Sequence, residues 1–312
     1  MVPKVSRRTV APLFLFESAS LGVEKLDADI LLRDTDHTNL KYAIDEYFAA
    51  SGFPNENFMT YLSPHERGWF EAASFCVEHR FEVPYGVNAT EYEEQSRKIV
   101  ESVVIGMRVV KSTLVKPVLY LDWDDSGIGK LVGFRKGGFD IYRAPDERFE
   151  DFEATDVASL ATLMPRVRQA IMTHTWGPFN RVANALNFYE TGYRMNSGEM
   201  RFILFATSLE SLFVTSNRGV SRQFRERISR FLAQAPPEQQ KLENICRAIY
   251  NLRSSIVHGQ AFDGAGRPSF DRLMFEIQEI GRRSLRKVLW NDILFATFQG
   301  SAVDLGHFLE QL

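Results

Sequence analysis

Short apolar runs and wider apolar spacings alternate in the first half of the chain. The runs predict β-strands over residues 10–16, 28–32, 118–121 and 131–135. Apolar residues three or four positions apart predict a helix over residues 40–50. A second helix is expected from Thr90 as N-cap, with Glu93 completing a capping box. Residues 1–150 therefore predict an α+β domain, with its boundary at the polar segment 145–148.

The second half of the chain shows only helical spacing. Its apolar positions predict helices over residues 157–173, 179–192, 197–216, 221–233, 238–258, 270–298 and 302–309. Pro236 and Pro237 separate two of these helices, because a helix does not continue through two prolines. Residues 259–268 are expected to form a loop. Residues 151–312 thus predict an all-α helical bundle, which makes the fold mainly α overall.

Composition adds limits on partners and location. The net charge is -3, so contact with nucleic acid requires a local basic patch rather than a positive field over the whole chain. Cys76 and Cys246 fit no metal-ligand spacing, and the sequence indicates no cofactor. No apolar run reaches the ~20 residues that a membrane-spanning helix needs. We expect a cytoplasmic protein without a membrane segment.

The segment 251–259 carries the most specific chemistry. Arg253 precedes His258 by five residues, and Gly259 follows the histidine directly. An arginine is always charged and a histidine titrates near neutrality, so the pair suits metal-free cleavage of a phosphodiester. Glycine after the last helical residue is typical of a helix end. The negative end of the helix dipole favours a protonated imidazole there, as a general acid requires.

Helical geometry places the members of this segment on different faces. The positions 245, 249, 252 and 256 form an apolar stripe that is expected to pack in the bundle. Nearly opposite runs a polar stripe of Arg247, Asn251, Ser254 and His258. Arg253 lies about 140° around the helix from His258, so one helix cannot present both side by side. A homodimer formed through the polar stripe gathers two copies of each into one cleft.

Other charged residues are candidates for supporting roles. Glu210 lies at the edge of the apolar face of helix 197–216, where it either finds a basic partner or reaches solvent. Arg222 and Arg225 follow helical spacing with Arg218 and, like Arg247, either contact RNA phosphates or form a solvated face. The acidic residues around Trp123 match no metal-site spacing, so no metal site is predicted there; they are Asp122, Asp124 and Asp125.

Three segments together resemble the HEPN superfamily, and its ApeA-like branch most closely. They are Leu209-Glu210-Ser211-Leu212-Phe213, residues 222–232, and Ile249-Tyr250-Asn251-Leu252-Arg253-Ser254-Ser255-Ile256-Val257-His258-Gly259. The resemblance covers roughly residues 155–300. It implies a bundle of four or five helices that dimerises through the motif helix. Many members of the family resemble metal-independent RNases, several of them toxins or components of phage defence.

The resemblance also implies roles for single residues. Arg253 and His258 match the catalytic pair, and the ribose 2′-OH would attack to leave a 2′,3′-cyclic phosphate. Glu210 and Arg227 match supporting residues of the two preceding helices. Asn251 and Ser254, near the catalytic arginine on the motif helix, are expected to be supporting residues as well. Ser254 stands where many active members have Asn, Asp or His. HEPN domains also occur as catalytically silent modules that bind RNA, nucleotide or protein, so that alternative stays open. The first 150 residues would sense, restrain or select the target, with a regulatory protein partner as one form of that control.

Overall fold

In the computed structural model, the described residues are 3–14, 22–51, 59, 62–113, 115–126, 129–137, 150, 152–172, 180–259 and 266–312. They form two compact units, one of residues up to 137 and 150–168, the other of residues from 169 onward. The helix Ala154–Met172 crosses this division, so most of a helix that the sequence pattern places in the C-terminal domain belongs to the first unit. The predicted polar break at 145–148 lies outside the described residues.

The first unit is built on an antiparallel sheet of seven strands. The strand order is β2 (Val23–Lys25), β3 (Ile30–Asp34), β4 (Phe75–Pro84), β1 (Lys4–Phe14), β6 (Leu119–Asp124) and β7 (Lys130–Lys136), with β5 (Lys116–Pro117) paired to the end of β1. The register of β1 on β4 runs from Lys4 opposite Pro84 to Leu13 opposite Phe75. The two residues at the end of the predicted strand 10–16 lie outside the described residues.

Within the described part of the first unit, four helices accompany the sheet: α1 (His37–Ala50), α2 (Pro64–Glu71), α3 (Thr90–Val110) and α4 (Ala154–Met172). Successive strand residues point to opposite faces. Val10 on β1 accordingly joins an apolar core with Ile44 of α1 and Phe70 of α2. Its neighbour Thr9 faces the other way and accepts a hydrogen bond from Ser96 of α3 at 2.7 Å.

The second unit is a helical bundle of α5 (Arg181–Arg194), α6 (Gly198–Phe213), α7 (Val220–Leu232), α8 (Pro236–Val257), α9 (Gly266–Trp290), α10 (Asp292–Gln299) and α11 (Ala302–Glu310). Close approach of α5 and α6 depends on Gly192, because a Cβ there would lie 2.7 Å from Cε1 of Phe205. Pro236 and Pro237 occupy the first turn of α8, where a missing N–H costs no helical hydrogen bond.

Several predicted element ends are wrong. Thr90 is not the N-cap of α3; Ala89 is, without a side-chain bond, and the Asn88 side chain instead accepts from the Thr90 N–H at 3.0 Å. The predicted helix 270–298 is two helices. Asn291 has extended backbone and its side chain accepts from the Leu294 N–H at 3.0 Å, so it caps a new helix at Asp292. α9 already begins at Gly266, inside the predicted loop.

The sheet also contains strands that the pattern does not predict. β4 is one, because Glu78, His79 and Arg80 interrupt its apolar alternation, although Glu78 and His79 are buried. β2 and the helix α2 were likewise not expected. β6 extends beyond the predicted strand 118–121 and ends at Asp124.

At a coarse level the predicted fold class is confirmed. An antiparallel sheet lies in the N-terminal part, the remainder is helical, and the chain is mainly α overall. Over the ranges that the structure describes, no helix has the length and apolar character that a membrane crossing requires.

Candidate functional site

The helix that carries the motif ends as its sequence predicts. Val257 is the last residue of α8 and His258 is its C-cap. Gly259 has a φ of +64°, and its N–H bonds the Ile256 carbonyl at 3.2 Å. A glycine suits this left-handed position because it has no Cβ to clash. The His258 side chain is consequently exposed at the end of the helix.

The polar stripe of α8 is open to solvent within the protomer. Arg247, Asn251 and His258 are exposed and Ser254 is half-buried. On the opposite side Ile249 is fully buried in the bundle. The stripe is therefore available as a contact surface, as a symmetric interface through α8 would need.

Arg253 points away from this stripe and toward α6. Its Nη2 donates to Oε2 of Glu210 at 3.3 Å, and the two side chains are 27% and 18% exposed. Burial raises the pKa of Glu210, and the guanidinium of Arg253 lowers it in part. The Nε of Arg253 is buried and has no hydrogen-bond partner among the described residues. Glu210 thus fixes the direction of Arg253 while leaving part of its donor capacity unused.

Two further arginines hold the end of α6, one turn beyond Glu210. Nη1 of Arg227 donates to the Phe213 carbonyl at 2.9 Å and to Gln223 Oε1 at 2.7 Å. Nη1 of Arg181 donates to the Val214 carbonyl at 2.8 Å. These bonds satisfy carbonyl groups that a helix end leaves without partners. Arg227 therefore supports the helix that carries Glu210 and does not itself reach the motif surface.

Arg181 was not predicted from the sequence. Burial lowers its pKa, and the nearby charge of Arg227 lowers it further. The position of Arg181 could have indicated its role. It is the first residue of α5, and a cation is disfavoured in the first turn of a helix. Such a residue needs an acceptor elsewhere, and the carbonyl groups at the end of α6 provide it.

The three arginines predicted to contact RNA lie on α7 and α8. Arg222 is exposed. Arg225 and Arg247 both face Glu243, with nitrogen–oxygen distances of 3.7 Å and 3.2 Å. Glu243 therefore offsets part of their charge. The Arg247 side chain is exposed, so solvent screens its pair with Glu243 and the pair contributes little to stability, whereas Arg225 and Glu243 are half-buried.

The acidic residues 122–125 are engaged by arginines. The nitrogen–oxygen distances are 2.7 Å for Arg97 to Asp122, 3.6 Å for Arg7 to Asp124 and 3.2 Å for Arg8 to Asp125. Within the described ranges, no three histidine, cysteine or acidic side chains are arranged to hold a metal ion. Both cysteines are buried and unpaired, and burial raises the thiol pKa to about 11 for Cys76 and about 12 for Cys246.

No protein-family model, curated protein or solved structure matches the chain. The site combines an exposed imidazole at a helix end, a guanidinium held by a half-buried carboxylate, and a polar stripe that is open to solvent. Together these groups are able to bind an anion and to transfer a proton.

Proposed function

We propose that the chain is a metal-independent endoribonuclease of HEPN type that cleaves RNA at a homodimer cleft. The observation that carries this proposal is the exposed stripe of Arg247, Asn251, Ser254 and His258, beside an Arg253 already held in place by Glu210. Pairing the stripe with its own copy brings two histidines and two arginines together. It also concentrates positive charge that the acidic chain as a whole lacks.

The proposed reaction needs only the substrate, water and these side chains. The ribose 2′-oxygen attacks the adjacent phosphorus and loses its proton to water. The bond from phosphorus to the 5′-oxygen breaks, and the protonated imidazole of His258 donates its proton to that oxygen. Arg253 binds the phosphate oxygens and stabilises the charge that develops on them. The products are a 2′,3′-cyclic phosphate and a free 5′-hydroxyl.

Arginines of α7 and α8 would extend the contact to RNA. Arg222 is exposed, and Arg225 and Arg247 would bind neighbouring phosphates by exchanging Glu243 for the nucleic acid. Such contacts carry no sequence information, so they would set affinity and its salt dependence rather than specificity. The proposed activity would act in the cytoplasm and serve in phage defence or as a toxin, the roles that the resemblance to HEPN proteins implies. The first unit would then regulate it or bind a regulatory protein.

One observation favours a second candidate, a catalytically silent module that binds RNA, nucleotide or a protein partner. Arg253 is engaged by Glu210 and only 27% exposed, as expected of a structural ion pair. Ser254 beside it supplies a short hydroxyl where many active HEPN proteins carry a longer polar or ionisable side chain. In this alternative the stripe on α8 remains a dimer or partner surface.

Incubation of the purified protein with mixed single-stranded RNA and tRNA in excess EDTA separates the two candidates. The nuclease predicts cleavage that leaves 2′,3′-cyclic phosphate ends and is lost in both Arg253→Ala and His258→Ala. Binding of RNA without cleavage supports the silent module. Equal cleavage by parent and variants would show that the activity comes from another site or another protein.

A further inference from the structure

A basic cavity with an aromatic rim lies at the end of α9, in the second unit. Its volume is about 550 Å³, and its lining includes four cationic side chains and one indole: Arg282, Arg283, Arg286, Lys287 and Trp290. Small-molecule sites in proteins commonly measure about 300–1,000 Å³. The cavity is therefore large enough for a ligand of nucleotide size.

Two cations of the cavity, Arg283 and Lys287, are four residues apart on α9, and like charges at this spacing repel each other. Arg282 differs from them, because its Nη2 donates to both carboxylate oxygens of Glu279 at 2.7 and 2.8 Å. Lys287 shows the effect, because burial and then the charge of Arg283 lower its pKa. Its ammonium group donates to the neutral carbonyl of Phe231 and keeps its net charge. An anion bound in the cavity would relieve this repulsion.

The carboxylate that faces Arg283 does not close the cavity. Arg283 Nη2 donates to Glu238 at 3.2 Å, and both side chains are more than one-third exposed. A pair so exposed is screened by solvent and contributes little. A phosphate group, with more charge and more acceptor oxygens, is able to replace Glu238 as the partner of Arg283.

Trp290 adds an aromatic contact surface to the cations of the cavity. Its side chain is 45% exposed at the rim of the cavity, and the guanidinium of Arg286 lies 5.6 Å from its ring centroid. An exposed indole is a stacking surface for a nucleic-acid base. An inorganic anion would contact the cations but not the indole, and an apolar ligand would contact the indole but not the cations. A base joined to phosphates would contact both.

We propose that this cavity binds a nucleoside polyphosphate, with its base on Trp290 and its phosphates on Arg283 and Lys287. The ligand is either a free nucleotide or the equivalent segment of an RNA strand. The site is separate from the motif. Glu238, the partner of Arg283, lies near the start of α8, and His258 lies at its end, which at 1.5 Å per residue is about 30 Å away. The proposal therefore goes beyond RNA cleavage and does not depend on it.

The test is titration calorimetry on the full-length chain carrying His258→Ala, so that RNA is not consumed by the proposed nuclease. The probes are ATP, tripolyphosphate, adenosine and a short single-stranded RNA. ATP is expected to bind more tightly than either tripolyphosphate or adenosine. Displacement of bound ATP by the RNA would identify a strand as the natural source of the ligand, and independent binding would identify a free nucleotide.

Variants distinguish the two halves of the site. Trp290→Ala is expected to weaken ATP binding about ten-fold, because a stacking surface is lost, while tripolyphosphate binding is unchanged. Trp290→Phe should keep part of the ATP affinity. Lys287→Gln should weaken both ligands. Arg135→Gln, an exposed arginine of the first unit, serves as the charge-matched control and should change neither.

The proposal fails if ATP does not bind at millimolar concentration, or if Trp290→Ala and Lys287→Gln bind ATP as tightly as their parent. Circular dichroism confirms that each variant is folded before titration. Failure of ATP binding would leave the cleavage proposal untouched, since no residue of the cavity belongs to the motif. Conversely, absence of RNA cleavage would not alter the expected binding of ATP.

Discussion

Arg253 on α8 donates to Glu210 on α6 at 3.3 Å, and this bond turns the guanidinium away from the exposed His258 at the end of the same helix. Two residues separated by five positions thus face different surroundings. The ion pair fixes the arginine in a half-buried position, whereas the histidine is exposed to solvent. A second copy of α8 is the simplest way to place an arginine beside a histidine.

Glu210→Gln tests whether the ion pair orients Arg253 for catalysis. The variant keeps the size of the side chain but removes its charge. RNA cleavage is expected to fall about 10- to 100-fold, because a misplaced catalytic group loses rate steeply. Steady-state kinetics should assign the loss to kcat rather than to KM. Unchanged kcat would show that Glu210 does not position the arginine.

Glu210→Gln is also expected to change how the free energy of unfolding depends on pH. Burial raises the pKa of Glu210, so the folded state binds its proton more tightly than the unfolded chain. The parent therefore loses stability, relative to Glu210→Gln, as the pH rises through the titration of this carboxyl. Urea unfolding at pH 4 and pH 7 measures the difference. A parent that gains stability relative to the variant over that interval would show that the pKa of Glu210 is lowered by folding instead.

Asn251→Arg tests the predicted dimer surface. Asn251 is exposed in the middle of the polar stripe, and a two-fold interface places such a residue near its own copy. Two added arginines would repel each other, so sedimentation velocity should show a shift from dimer to monomer, together with loss of cleavage. Ala296→Arg on the exposed side of α10 is the matched control and should leave the dimer unchanged. A dimer that survives Asn251→Arg excludes this stripe as the interface.

His79 in β4 belongs to a buried chain of hydrogen bonds in the first unit. The chain runs from the carboxylate of Asp122 through Thr9, Ser96 and His79 to the carboxylate of Asp29, with contacts of 2.7, 2.7, 2.7 and 3.2 Å. Four contacts require four protons, whereas the two hydroxyl groups and a neutral imidazole supply only three. A neutral His79 therefore leaves one contact without a proton, and a second proton on the imidazole would complete the chain.

Burial outweighs that gain and lowers the pKa of His79, although Asp29 opposes the shift in part. The folded state therefore takes up the second proton less readily than the unfolded chain. Stability that is present above the ordinary histidine pKa of about 6.5 should be lost as the pH falls below it. Between pH 7.5 and 5.5 the parent should lose more unfolding free energy than His79→Gln. Equal losses in the two proteins would show that His79 does not titrate in this way.

The sequence was sufficient for the features that depend on local periodicity. Helical spacing predicted the buried face of α8 at Ile245 and Ile249, and the exposed face at Arg247 and Asn251. Two other residues of the predicted apolar stripe, Leu252 and Ile256, are only half-buried. The glycine after His258 marked the helix end, since its left-handed backbone is costly for other residues. The angle between Arg253 and His258 follows from helical geometry alone.

Tertiary contacts account for most of what the sequence did not predict. The partner of Glu210 lies 43 positions away on another helix, so the pattern left both an ion pair and exposure to solvent open. The sequence pattern did not predict β4, because its buried polar residues Glu78 and His79 bond to arginine, serine and aspartate side chains that are distant in sequence. Asn291 divided a predicted helix because its side chain replaces a backbone bond, which apolar spacing does not reveal.

Mixing two inactive variants shows whether Arg253 of one protomer acts with His258 of the other. Arg253→Ala and His258→Ala homodimers are each expected to be inactive on RNA in EDTA. After denaturation and refolding together, half of the dimers should be mixed and keep one of the two Arg253–His258 pairs in the cleft, which restores about a quarter of the parent activity. Cleavage that stays absent in the mixture, while sedimentation shows that mixed dimers form, would contradict the shared site.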